Sequence, residues 1–357
     1  MSDTYLILEN GAVFKGFSFG YDTEAVGELV FTTGMTGYLE TLADPVYCGQ
    51  IVLQTFPLIG NYGIIPNDFG PGPVHMKAYI VRQWCQEPSN FRSEGNLDSF
   101  LREKRIPGLY GIDTRALTRM LRECGVMNAM LSKTPELSKT QWEYLRGYKI
   151  TGAIAAVCGS GDEFEIRNSE FGIDPVAHFS PKVVVWNFGN ALKLADGLAA
   201  HGCTPVIAGH KTDADGVLSQ NPDGIVLSGG PGDPAENTRI IREIGNLCGK
   251  GVPVFGVGLG HQMLALSRGA LTAKLPFGHR GANQPVTGIS TGQVFVTSQN
   301  HGYTVAPDSL PDTAVMSYVN SNDGTCEGID YKDIPAFSVQ FNPTDDVFAR
   351  FLAMMKG

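Results

Sequence analysis

Two glycine-rich stretches in the C-terminal half have residue types and spacing that suit chemistry. Ser228-Gly229-Gly230-Pro231-Gly232-Asp233-Pro234 follows a short apolar run. Its glycines let the backbone approach a ligand, and its amides can face an anion. Gly256-Val257-Gly258-Leu259-Gly260-His261-Gln262 follows another such run, as a strand-to-helix turn with glycine at alternating positions. Read as a phosphate loop, it lacks the third glycine of the dinucleotide fingerprint. Read as a nucleophile elbow, small residues on each side permit a strained turn that lifts one central side chain to the top of a sheet. Position 258 is that centre, and glycine occupies it.

The elements that must position these stretches can be read around them. From Lys182 onward, apolar runs at 183–186, 204–208, 224–227 and 252–257 alternate with amphipathic helical stretches near 191–201 and 237–248. That alternation predicts βαβ units and a mostly parallel sheet covered on both faces. Ligands of such sheets sit beyond the carboxyl ends of the strands, where both glycine stretches fall. The first part of the chain is β-rich instead. Residues 5–16 alternate as a hairpin about Asn10-Gly11, and β-like runs follow at 28–32, 50–54 and 78–82. A helix is predicted from Asp113, its N-cap, to Gly125, its stop, with Arg115, Arg119 and Arg122 on the solvated side. Residues 158–181 lose apolar periodicity and read as a linker, giving domains at 1–157 and 182–357.

Composition narrows the classes. A chain of 357 residues, against about 150 per domain, favours two domains. With 27 basic and 36 acidic residues the net charge is −9, which argues against nucleic acid as a partner. The N-terminus shows no basic and apolar secretory pattern, and the longest uncharged apolar stretch is short, Gly-studded and polar for a membrane span. A cytoplasmic location and no membrane association are expected. The seven cysteines (Cys48, Cys85, Cys124, Cys158, Cys203, Cys248, Cys326) are odd in number and scattered, so reduced thiols are expected, with neither disulfides nor a metal site.

Over its whole length the sequence resembles the small, glutamine-amidotransferase subunit family of carbamoyl phosphate synthetase. GELVFTTGMTGYLETLADPVYCGQIV, FPLIGNYGI and IPGLYGIDTRALTRMLRECG resemble the N-terminal domain peculiar to that subunit. LSGGPGDP, PVFGVGLGHQMLAL, FGHRGAN, SQNHGY and AFSVQFNP resemble a class I, triad-type amidotransferase. The resemblance implies a β-rich N-terminal domain followed by a class I glutamine amidotransferase-like α/β domain. It also implies ammonia release from glutamine and delivery through an internal tunnel to a large subunit. That partner uses ATP and Mg to make carbamoyl phosphate for arginine and pyrimidine synthesis, with no cofactor in this chain.

The departure lies at the chemistry. Family members carry a Cys nucleophile at the elbow, a His base at the end of the last strand and a Glu that orients it two residues on. Here those positions hold Gly258, Asn342 and Thr344. A thiolate, a proton shuttle and a carboxylate are all missing, so the catalytic triad has no intact member. The family Ser that contacts glutamine aligns with Val46, a loss that would leave a polar substrate group unpaired at about 1–3 kcal/mol. The other glutamine-contact positions are kept or nearly kept: Gly230, Gly232, Leu259, Gln262, Asn300, Gly302 and Tyr303. The 187–190 loop lacks the Asp and Lys usual around Phe188-Gly189, and Gln284 stands where His is common. Cys248, at a helix end, and Cys326, in a loop, read as packing residues, and His301 as a buried structural histidine. His261 and His279 read as supporting or interface residues without a metal. The expectation is a large-subunit partner with glutamine hydrolysis lost. Two alternatives stand beside it, a free-standing sensor of glutamine or another small amide, and a glutaminase that uses an unrecognised nucleophile.

Overall fold

The computed structural model describes residues 3–68, 72–159, 164–166 and 180–356. The chain divides into two compact units, Met1–Thr151 with Leu275–Ala282, and Gly152–Lys274 with Asn283–Gly357. Most of the 158–181 stretch read as a linker lies outside the described residues.

The first unit comprises β1 (Asp3–Leu8), β2 (Val13–Gly20), β3 (Ala25–Thr32), α1 (Tyr38–Ala43), β4 (Gln50–Gln54), β5 (Leu58–Ile59), β6 (Ala78–Ile80), β7 (Gln83–Trp84), α2 (Leu97–Glu103), β8 (Pro107–Tyr110), α3 (Thr114–Cys124), β9 (Met127–Ser132) and α4 (Lys139–Gly147). Strands β1, β2, β8, β6, β4, β3 and β9 close into a barrel. The β1–β2 hairpin turns at Asn10-Gly11, where the Asn10 side chain accepts from the Ala12 amide at 3.0 Å. The β3–β4, β4–β6 and β6–β8 pairs are parallel. Burial alternates with the strand period of two. Leu29, Ile51, Leu53 and Ile80 share a core with Leu117 and Leu121 of α3, while Val30, Val52 and Tyr79 share another with α1 and α2. Helix α3 starts where the Asp113 carboxylate accepts from the Ala116 amide at 3.0 Å, and Gly125 follows its last residue.

The second unit comprises α5 (Ala153–Cys158), β10 (Phe164–Ile166), β11 (Lys182–Trp186), α6 (Ala191–Ala200), β12 (Thr204–Ala208), α7 (Ala214–Ser219), β13 (Gly224–Leu227), α8 (Thr238–Cys248), β14 (Val254–Val257), α9 (Leu259–Ser267), β15 (Thr272–Gly288), β16 (Val294–Val305), β17 (Ala314–Asn320), β18 (Cys326–Tyr331), β19 (Ala336–Val339) and α10 (Asp345–Met355). Residues 275–282 of β15 belong to the first unit. The sheet order is β10-β12-β11-β13-β14-β19-β18-β17-β15-β16. Strands β12, β11, β13, β14 and β19 run parallel, and β18 and β17 continue antiparallel. Residues 164–166, inside the stretch read as a linker, pair antiparallel with β12 as the edge strand β10.

Each parallel strand is buried on both faces, which is why its sequence is a continuous apolar run. Val184, Trp186, Ile225 and Leu227 pack with α7, α8 and α9, while Val183, Val185, Val226 and Phe255 pack with α6 and α10. Both glycine stretches lie at the carboxyl ends of parallel strands, one after β13 and one running from the end of β14 into α9, and Asn342 and Thr344 lie beyond β19. Cys326 begins β18 rather than occupying a loop, because residues 326–331 pair with both β17 and β19.

Helix α8 gives a direct check on this packing. At Gly245 a Cβ would approach nothing closer than the Ser267 carbonyl at 3.8 Å. Gly245→Ala should therefore stabilise by about 0.5–1 kcal/mol through the helix preference for alanine. Leu247 is fully buried, so Leu247→Ala should cost about 2–5 kcal/mol. Urea unfolding midpoints of the two variants should shift in opposite directions, and shifts of the same sign would contradict this placement of α8.

Candidate active site

The turn from β14 to α9 is built by close backbone contact. A Cβ on Gly260 would lie 2.2 Å from the Leu227 carbonyl oxygen, and one on Gly256 would lie 3.0 Å from the Gly260 carbonyl oxygen and from the Ser338 Cβ. Those two glycines are steric requirements. Gly258 differs from them: its φ is +56° and ψ −112°, yet a Cβ there would meet only the Gly229 Cα at 3.5 Å and the Gln340 carbonyl oxygen at 3.9 Å. There is room for a side chain, in a backbone conformation that strains any residue but glycine by about 1–3 kcal/mol. The Gly258 amide donates to the Val339 carbonyl at 2.9 Å, and the Gly258 carbonyl accepts from the Gln262 amide at 3.2 Å, which ties the turn to β19 and starts α9.

Around this turn the structure assembles most of the residues singled out from the sequence. Gly229 next to it begins the loop carrying Gly230 and Gly232. A Cβ on Gly230 would overlap the Phe188 carbonyl oxygen at 2.1 Å, and Gly232 has φ +90° with the Ala153 Cβ 2.9 Å from its own Cβ position. Leu259 is the buried first residue of α9. The Gln262 side-chain amide donates to the Tyr303 carbonyl at 2.7 Å and to Gln340 Oε1 at 2.8 Å, which commits both of its hydrogens to the fold. Asn300, Gly302 and Tyr303 lie half-buried on β16. The Asn342 amide donates to the Ser298 carbonyl of the same strand at 3.0 Å, while its side chain is exposed. Thr344 is exposed too and precedes α10 without capping it through its hydroxyl. Val46 belongs to the first unit, in a short 3-10 turn whose Val46 amide is held by the Asp44 carboxylate at 3.0 Å.

Gly258, Asn342 and Thr344 carry no thiol, imidazole or carboxylate, and the cysteines Cys248 and Cys326 are buried. Burial pushes the Cys248 thiol up to about 11 and the Cys326 thiol up to about 12, so neither is a thiolate near neutrality. His301 is buried, with Nδ1 2.8 Å from the Tyr303 carbonyl and Nε2 3.0 Å from Gln299 Oε1. A ring whose two nitrogens both face acceptors turns no lone pair toward a substrate. His261 Nδ1 lies 2.8 Å from Ser338 Oγ, but both residues are fully buried, and burial holds the His261 imidazole down at about 3.

Behind the elbow runs a polar chain that the sequence reading missed. Gln299 Nε2 donates to Glu327 Oε2 at 3.0 Å, Asn320 Nδ2 donates to Glu327 Oε1 at 3.3 Å, and His301 Nε2 lies 3.9 Å from the same carboxylate. Glu327 has no solvent exposure. Its signal was an acidic residue at the second position of CEGIDY, within the stretch from Cys326 to Ile329 that is buried throughout.

Comparison with known proteins follows the two units. Residues 6–131 match the family described as carbamoyl-phosphate synthase small chain, CPSase domain, and residues 184–344 match glutamine amidotransferase class-I. The chain is similar to the carbamoyl phosphate synthase small chain of Fusobacterium nucleatum subsp. nucleatum, 44% identical over 345 residues that cover 96% of this chain and 93% of that one. It is also similar to the protein of that name from Bacillus caldolyticus, 42% identical over 371 residues covering 98% and 96%. The protein of that name from Clostridium perfringens is 43% identical over 338 residues, covering 95% and 93%.

Two predictions come from this geometry. Gly258→Cys should fold at a cost of about 1–3 kcal/mol and expose a thiol that iodoacetamide alkylates slowly, with no hydrolysis of glutamine. Only the triple variant with Asn342→His and Thr344→Glu should gain thiolate character near neutral pH. If the single variant hydrolyses glutamine as fast as the triple, the empty base and orienter positions are not the defect. The second concerns His261, whose folded-state value of about 3 lies below the ordinary 6.5. The unfolded chain then binds the extra proton first, so stability is full above pH 6.5 and declines as pH falls toward 3. The stability lost through His261 over that window is on the order of 5 kcal/mol. Urea unfolding of the wild type and His261→Asn should show the gap between them change across this range. A gap constant with pH would contradict a neutral buried imidazole.

Proposed function

The chain belongs to the carbamoyl-phosphate synthase small-chain family, and on that premise we propose that it caps and stabilises a large ATP-using subunit while its own glutamine hydrolysis is lost. It combines a β-rich N-terminal domain with a class I glutamine amidotransferase-like α/β domain. The observation that carries the proposal is Gly258, a retained elbow with space for a side chain and none present. Asn342 is not a useful base near neutrality, and Thr344 has no charge to hold an imidazolium, so no alternative route through the family positions is available. The complex would take free ammonia directly, and ATP and Mg would be bound by the large subunit. Among the described residues, no helix is long and apolar enough to cross a membrane.

In the proposed complex the N-terminal domain serves the partner. Its GMTGYLE and GIDTRALTR blocks keep the family pattern while the triad positions and Val46 have changed together. That combination fits a retained assembly role better than a free-standing sensor of glutamine or another small amide. The inward-facing, raised thiols of Cys248 and Cys326 weigh against a glutaminase built on either.

The test is co-expression with the large subunit from the same source. Gel filtration should show one larger species, since a stable interface buries at least about 1,200 Å². Carbamoyl phosphate should form from ammonium and ATP but not from glutamine. Separate elution at micromolar concentration would favour the sensor. Glutamine turnover within about tenfold of a family member with an intact triad would overturn the loss of hydrolysis.

A further inference from the structure

We draw no further inference here: the strongest candidate, the recess of about 270 Å³ between α5 and the N-terminus of α8, lined by Lys211, Glu236 and Arg239, offers only a helix start flanked by charged side chains, and no second feature among the described residues points to a ligand there.

Discussion

The carboxyl edge of the second unit depends on how closely three stretches of backbone approach one another. The Leu227 carbonyl occupies the space a Gly260 side chain would need, the Phe188 carbonyl does the same at Gly230, and Gly256 is wedged against Ser338 and the first turn of α9. These contacts hold the β13 loop, the elbow and the end of β19 in register, and any Cβ there would push the layers apart. Gly230, Gly256 and Gly260 are therefore required by the fold whether or not the site performs chemistry. Gly258 alone among them has space, so its identity carries information about chemistry that the others do not.

A second layer of order lies beneath the elbow. From Gln340 through Gln262 to the Tyr303 carbonyl, and from His301 through Gln299 to Glu327 and Asn320, hydrogen bonds link α9 to β16, β17, β18 and the end of β19. Removing one member would strand another in a dry interior, at about 1–3 kcal/mol for each neutral group. These bonds give Gln262, Tyr303 and the NHGY block a role in the fold that does not depend on chemistry at the elbow. Gln262 and the strand residues it holds are thus required by the packing of this unit, whatever else they do.

How far the fold was legible depends on where each element finds its partners. The β1–β2 hairpin, α3 and the parallel strands of the second unit were readable because Asn10-Gly11, Asp113 with Gly125, and four uninterrupted apolar runs are local signals. Closure of the barrel was not, because β3, β4, β6 and β8 pair in parallel across long loops and no turn motif announces such pairing. The same limitation placed Cys326 in a loop and left residues 164–166 in a linker, since both strands are defined by neighbours distant in sequence. At the site, the strand-to-helix turn was legible from its glycine spacing, whereas Asn342 and Thr344 were singled out only through the resemblance. Neither source revealed Glu327, whose role exists only once β16, β17 and β18 lie side by side.

The unfilled space at Gly258 bears on evolutionary reversibility. Glycine codons ending in a pyrimidine become cysteine codons by a single base substitution, and asparagine codons become histidine codons equally simply. Threonine cannot become glutamate without passing through another residue. Because the backbone at 258 already holds the required turn and nothing blocks a side chain, the nucleophile and the base are each a short mutational step away. The orienting carboxylate is the position furthest from restoration, and the full effect of a nucleophile and base needs all three groups together. Under the proposed loss of hydrolysis, return is therefore limited by codons rather than by the scaffold, which keeps space for a side chain at 258.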